Sequence, residues 1–205
     1  MVDGETSSPC KNLPLNSDNT ALGPPLVLPV PGISPVVAFD EPSGIVVWRA
    51  PAENGLADIL AMRLDAAGLL IDTTALIVAT GVSSDSGLHS TSNHSNHFTA
   101  VAANNSTFLI AWAAGEEFYS ALYGRTISAE GELGNVFVIQ EMTSATNIIT
   151  YKSKATQPRV AAVGDHFVTL WNYSSATKNS QTVTRAQRYD LTGAAIGDQL
   201  QVAVG

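Results

Sequence analysis

The sequence predicts an all-β protein built from three copies of one unit about 60 residues long. Three observations carry this reading. Apolar runs of four to eight residues, rich in Val, Ile, Phe and Trp, recur between clusters of Gly, Asn, Asp and Pro. No long stretch keeps a helical period. The third observation is self-similarity: Trp48, Trp112 and Trp171 are 64 and 59 residues apart, and the turn glycines Gly68, Gly131 and Gly193 are 63 and 62 apart.

The chain opens on a polar stretch that closes at Gly23-Pro24-Pro25 and reads as a leader or linker over residues 1–25. No basic start followed by an apolar run is visible in it, so no export signal is read there. Its Cys10 is the one cysteine of the chain, which excludes an intrachain disulfide framework; it is expected to be a free thiol.

Residues 26–205 carry the repeats. In unit one, Val36-Val37-Ala38-Phe39-Asp40 leads through Pro42-Ser43-Gly44 into Ile45-Val46-Val47-Trp48, and a later strand runs Asp58 to Leu64 toward Gly68. Unit two follows the same grammar: Thr99 to Ala103, a turn at Asn104-Asn105, Phe108 to Trp112, then Tyr119-Ser120-Ala121-Leu122-Tyr123-Gly124-Arg125 toward Gly131. Unit three has Arg159 to Val163, Gly164-Asp165, Phe167 to Trp171, then Val183 to Asp190 toward Gly193. Another strand follows each turn glycine, at 76–78, 136–139 and 199–204. Four strands per repeat is the content of one propeller blade.

The strand, turn, Trp-ended strand and Leu122-Tyr123-Gly124-Arg125 pattern resembles the β-propeller repeats of bacterial secreted or surface-attached proteins. Units one and three have Ala61-Met62-Arg63 and Ala186-Gln187-Arg188 in place of Tyr-Gly-Arg. The resemblance implies a propeller fold and an extracellular or cell-surface location.

Three blades fall short of the four to eight of a closed propeller. Counting the strand after each glycine as the head of the next unit gives units of about 26–72, 73–134 and 135–197, with Gln199 to Val204 as an orphan strand. On that frame the chain is a piece of a longer propeller, a protomer that closes a six-bladed ring as a homodimer through free blade edges, or a three-fold closed β-trefoil.

Ten Lys plus Arg against 18 Asp plus Glu give a net charge of −8, which disfavours nucleic acid and anionic membranes as partners, and no stretch is long and apolar enough for a membrane span. The charge is uneven. Residues 1–141 hold 15 acidic and 4 basic side chains, and residues 142–205 hold 3 acidic and 6 basic. Lys152, Lys154, Arg159, Lys178, Arg185 and Arg188 make the third unit basic. Arg185 and Arg188 are the candidates for contact with an acidic partner.

Trp48, Trp112 and Trp171 stand at equivalent places; they are read as packing residues, with sugar stacking as the functional alternative. His89, His94 and His97 lie in a polar stretch with Asp85 and are candidate metal ligands, but the spacing of structural zinc sites is absent and no metal or other cofactor is assigned. Sequons at Asn93, Asn104, Asn105 and Asn172 are expected by chance in so polar a sequence. No nucleophile elbow, phosphate loop or His-Glu-x-x-His occurs, and Asp40-Glu41 are adjacent on strand-and-turn geometry that points them apart. With three blade-like repeats and no catalytic constellation, the expected function is that of a non-enzymatic binding or structural module of a secreted or surface protein, its partner a protein or glycan. The alternatives are a lectin-type propeller and a piece of a glycoside-processing enzyme whose catalytic residues lie outside this chain.

Overall fold

A computed structural model describes residues 11–12, 25–83, 99–116, 119–142, 154–175 and 181–204. Strands β1 (Lys11–Asn12) and β2 (Leu26–Val27) pair as a short ribbon. The first sheet is β3 (Ile33–Asp40), β4 (Ser43–Pro51), β5 (Leu56–Leu64) and β6 (Leu76–Ser83); the second is β7 (Thr99–Asn104), β8 (Thr107–Glu116), β9 (Tyr119–Ser128) and β10 (Phe137–Gln140). The third is β11 (Lys154–Val163), β12 (His166–Ser174), β13 (Thr182–Tyr189) and β14 (Ala195–Val204).

Within each sheet the four strands lie in chain order and every pairing is antiparallel. That is the topology of three consecutive propeller blades, and it is not that of a β-trefoil. The second and third sheets also touch through one parallel bridge, Lys154 to Ser120, where the Ser120 hydroxyl donates to the carbonyl of Ala155 at 2.6 Å.

The sheets fall in a different frame from the sequence units. β6, β10 and β14 pair with β5, β9 and β13, so each strand after a turn glycine closes its own sheet rather than leading the next. Gln199 to Val204 therefore belong to the third sheet and are not an orphan strand. The reason is local: a short hairpin turn returns the chain beside the strand it has just left. Leu26-Val27 likewise pair with β1, within the segment read as leader, and the inner strand of the first sheet begins at Ile33.

That hairpin turn is built the same way three times. Asp65, Ser128 and Asp190 each accept two backbone N–H bonds from residues two and four places on: Ala67 and Leu69 at 2.9 Å, Glu130 and Glu132 at 3.2 and 3.3 Å, Thr192 and Ala194 at 2.9 Å. Short polar side chains close such turns because they reach their own backbone. Gly68, Gly131 and Gly193 take φ of 77°, 91° and 87°, a region that costs other residues a Cβ clash.

Alternation along each strand sends one set of side chains forward, toward the next sheet, and one set backward. Ile45, Val47, Ile59 and Ala61 point forward and are fully buried against Phe108, Ile110, Trp112 and Ile127. Leu109, Ala111, Ala113 and Leu122 point forward from the second sheet onto Phe167, Trp171, Tyr173 and Tyr189. The backward side of the first sheet, with Val46, Trp48, Met62 and Leu64, is covered over part of its area by Leu28 and its neighbours Leu26 and Val30. Sheet packs on sheet through these clusters, each apolar and dry at its centre.

Two inner strands share a defect. β3 and β11 each shift register ahead of a proline, at Ser34-Pro35 and Gln157-Pro158, with φ of 53° and 54° at the residue before it.

Candidate functional site

A groove of about 890 Å³ lies between the first and second sheets. Ile77 and Ala79 of β6 form one wall, Trp112 and Tyr123 the floor, and Val136 and Val138 the other wall. Ile77, Val136, Val138 and Met142 stay 52, 49, 48 and 43% exposed around it, so the rim is apolar and wet. The Trp112 and Tyr123 rings stack with centroids 6.1 Å apart, a cross-strand pair fixed by the β8–β9 register.

Arg125 also lines the groove. Its Nε donates to the Gly134 carbonyl at 2.7 Å and its Nη1 to the Val78 carbonyl, also at 2.7 Å. Val78 lies between Ile77 and Ala79 where β6 bulges, so its carbonyl needs a donor from outside the ladder. The arginine is thus a clamp between two sheets. Gln187, six residues before its turn glycine as Arg125 is, bonds only within its own sheet, donating to the carbonyls of Ile196 and Gly197 at 3.2 and 3.0 Å.

The three repeat arginines do not share one face. Arg63 and Arg188 stand five residues before their turn glycines and point forward, whereas Arg125 stands six before and points backward. Arg63 binds Asp72 through Nε at 2.9 Å and reaches the Ala129 carbonyl of the second sheet at 3.0 Å. Burial pushes the Asp72 carboxyl up, but the hydrogen bonds and charge of Arg63 outweigh it and hold the group below its ordinary value. The hydrogen bond to Asp72 raises Arg63 in turn.

Arg185 and Arg188, read from the sequence as one basic patch, lie on opposite faces. Arg185 points backward, stacks at 3.8 Å over the Tyr173 ring and donates to Gln140 at 2.9 Å. Arg188 points forward and is exposed. Trp48, Trp112 and Trp171 are 0, 2 and 1% exposed, all on backward faces; Trp48 and Trp171 offer no ring face to a sugar, and Trp112 lines the groove while remaining almost wholly buried. His89, His94 and His97 lie outside the described residues, as do Asn93 and Cys10. Among the described residues no three His, Cys, Asp or Glu side chains gather as metal ligands.

Other polar groups fasten sheets together. Asp40 accepts from the Ser106 N–H at 3.0 Å, and the sequon residue Asn104 is buried with its amide bonded to the third sheet. Burial pushes the Tyr189 hydroxyl up to about 12, against a smaller opposing pull from Thr169. Burial also lowers Arg49, whose Nη1 faces the Ala113 carbonyl at 3.5 Å. Sequence reading missed Tyr123, Arg125 and Asp72 as working residues, although the Leu122-Tyr123-Gly124-Arg125 run that carried the family resemblance contains two of them.

No protein-family model matches this sequence, and none of the curated proteins matches it. Among solved structures, a subtype N10 neuraminidase-like protein of A/little yellow-shouldered bat/Guatemala/060/2010 aligns at 10% identity with a TM-score of 0.49, over 84% of this chain and 44% of that one. An alpha-L-arabinofuranosidase from Lactobacillus brevis aligns at 13% identity and TM-score 0.49, over 86% and 58%. A Penicillium chrysogenum alpha-L-arabinanase does so at 13% and 0.44, over 77% and 45%. The chain spans about half the length of these structures. At such scores the likeness adds nothing to the chemistry of the groove, and the assignment rests on the sheets themselves: three four-stranded antiparallel blades make this chain an all-β, partial β-propeller.

Proposed function

We propose that this chain is a non-enzymatic binding module of a secreted or surface protein, and that its ligand lies in the groove between the first and second sheets. The carrying observation is the groove's make-up. Its floor is a stacked Trp112–Tyr123 pair, its rim is apolar, and the Arg125 guanidinium that lines it is committed to backbone carbonyls. Such a surface binds by area and shape. Glu141 is the carboxylate that lines it among the described residues.

The test is ligand-observed NMR with the full chain against neutral glycans, apolar peptides and aromatic fragments. A Val138→Lys variant, changed at the half-exposed rim, serves as the blocked control. Binding to the wild type that the variant loses supports the reading. No binding, or binding unchanged by the variant, overturns it. Turnover of a glycan during the same measurement would favour the glycoside-processing alternative.

A further inference from the structure

The groove between the first and second sheets follows one strand. Every residue of β6 from Ile77 to Val82 lines it, and β6 is the outer strand of its sheet. Side chains on a strand alternate between faces, so consecutive residues line a groove together only where it runs along the strand's edge. At roughly 3.3 Å per residue this run extends about 16 Å, the span of an extended chain of about five or six residues.

That edge is closed to a further strand. β6 shifts register twice against β5, and Gly81 takes a φ of 61° with its N–H bonded to Asp58 at 3.0 Å. The Val78 carbonyl is already held by Arg125. Bulges break the even row of donors and acceptors that strand addition needs. A ligand along this edge is therefore held by its side chains, and the half-exposed Ile77, Val138 and Met142 accept apolar ones.

Charge decides what else such a ligand carries. Among the described side chains of the first two sheets and their turns, nine Asp and Glu stand against three arginines and no lysine. All three arginines are committed within the fold, Arg49 toward the Ala113 carbonyl, Arg63 to Asp72 and Arg125 to Gly134 and Val78. The surface beside the groove therefore carries an excess of negative charge, which draws cations. Glu141 brings that charge into the groove. It is exposed, and its main chain is fastened from the third sheet: Arg185 donates to the buried Gln140 at 2.9 Å, and the Gln140 amide donates to the Glu141 carbonyl at 3.1 Å. Among the described residues this carboxylate has no ion-pair partner.

We infer, resting on the reading of the groove as a ligand site, that its ligand is an extended peptide that lays apolar side chains on the rim and presents a lysine or arginine to Glu141. Shape asks for the extended chain, and charge complementarity asks for the cation.

Isothermal titration calorimetry of the full chain with three capped hexapeptides tests this. All three alternate leucine with serine and differ at one terminal residue, which is lysine, glutamine or glutamate. The lysine peptide is expected to bind about three- to fivefold more tightly than the glutamine peptide, as one exposed ion pair allows, and the glutamate peptide more weakly than either. Glu141→Gln should bring the lysine and glutamine peptides to the same affinity. Glu132→Gln, at an exposed carboxylate of the same sheet outside the groove, should keep the preference, and raising the salt from about 0.05 to 0.5 M should shrink it. Equal binding of the three peptides, or a lysine preference that survives Glu141→Gln, overturns the inference but leaves the groove a binding site. Binding of a neutral glycan in ligand-observed NMR with no binding of any peptide has the same meaning, and binding of nothing overturns both.

Discussion

Asn104 donates its side-chain amide to the carbonyl of His166 at 3.0 Å, across 62 residues of sequence, and to that of Gly164 at 3.2 Å. One buried amide thereby satisfies two carbonyls in the neighbouring sheet's hairpin. Asn104→Ala removes both bonds and leaves carbonyls in a partly dry site, a loss of about 1–3 kcal/mol. Urea unfolding should show a lowered midpoint with an unchanged slope. Asn104→Asp, which turns the donor into an acceptor facing two acceptors, is expected to be worse than Ala.

Gly193 and Gly164 both have positive φ, at 87° and 60°, but differ in surroundings. A Cβ on Gly193 would lie 2.5 Å from the Phe137 ring, which packs on Tyr189, whereas a Cβ on Gly164 meets nothing within 4 Å. Gly164→Ala should cost about 1 kcal/mol from backbone conformation alone, and Gly193→Ala about 2–4 kcal/mol because an overpacked contact adds to it. Thermal unfolding of the two variants side by side measures the difference.

The Arg63–Asp72 pair gives stability a sign with pH. Asp72 titrates below its ordinary value in the folded state, so its contribution is complete above the unfolded carboxylate pKa of about 4 and is lost as pH falls through the lower folded value. Asp72→Asn should therefore lower stability at neutral pH, by about 1 kcal/mol for a partly exposed pair. The same change should flatten the acid limb of the stability profile. Urea midpoints from pH 7 down to about pH 3 test both effects.

Trp48 and Trp171 are packing residues. Truncating either to Ala should cost about 3–5 kcal/mol. Substitution by Phe keeps most of the apolar area and should leave binding of any groove ligand unchanged within about twofold. A Phe variant that stays folded and loses a glycan ligand would return the tryptophans to a direct role.

Much of the fold was legible locally. The period near 60, the alternating apolar strands, and the Asp65–Gly68, Ser128–Gly131 and Asp190–Gly193 turns all act through neighbours a few residues apart. The candidate groove was not, because it needs β6 of one sheet beside β9 and β10 of another. Nor was the sheet frame, since strands 76–78, 136–139 and 199–204 look the same whether they close one repeat or open the next.

What the residues decided alone is a recurring list of elements: in each repeat, strands joined by polar turns, an apolar strand that ends in a tryptophan and, about 20 residues further on, a turn glycine. What the tertiary structure decided is direction and partnership. A shift of one residue relative to the turn glycine sends Arg125 backward to the Val78 carbonyl, while Arg63 points forward to that of Ala129, because side chains on a strand alternate faces at every step. Asp40 and Asn104 look like solvated turn residues in the sequence. They become the fasteners between sheets only when packing brings hairpins about 60 residues apart within hydrogen-bond reach.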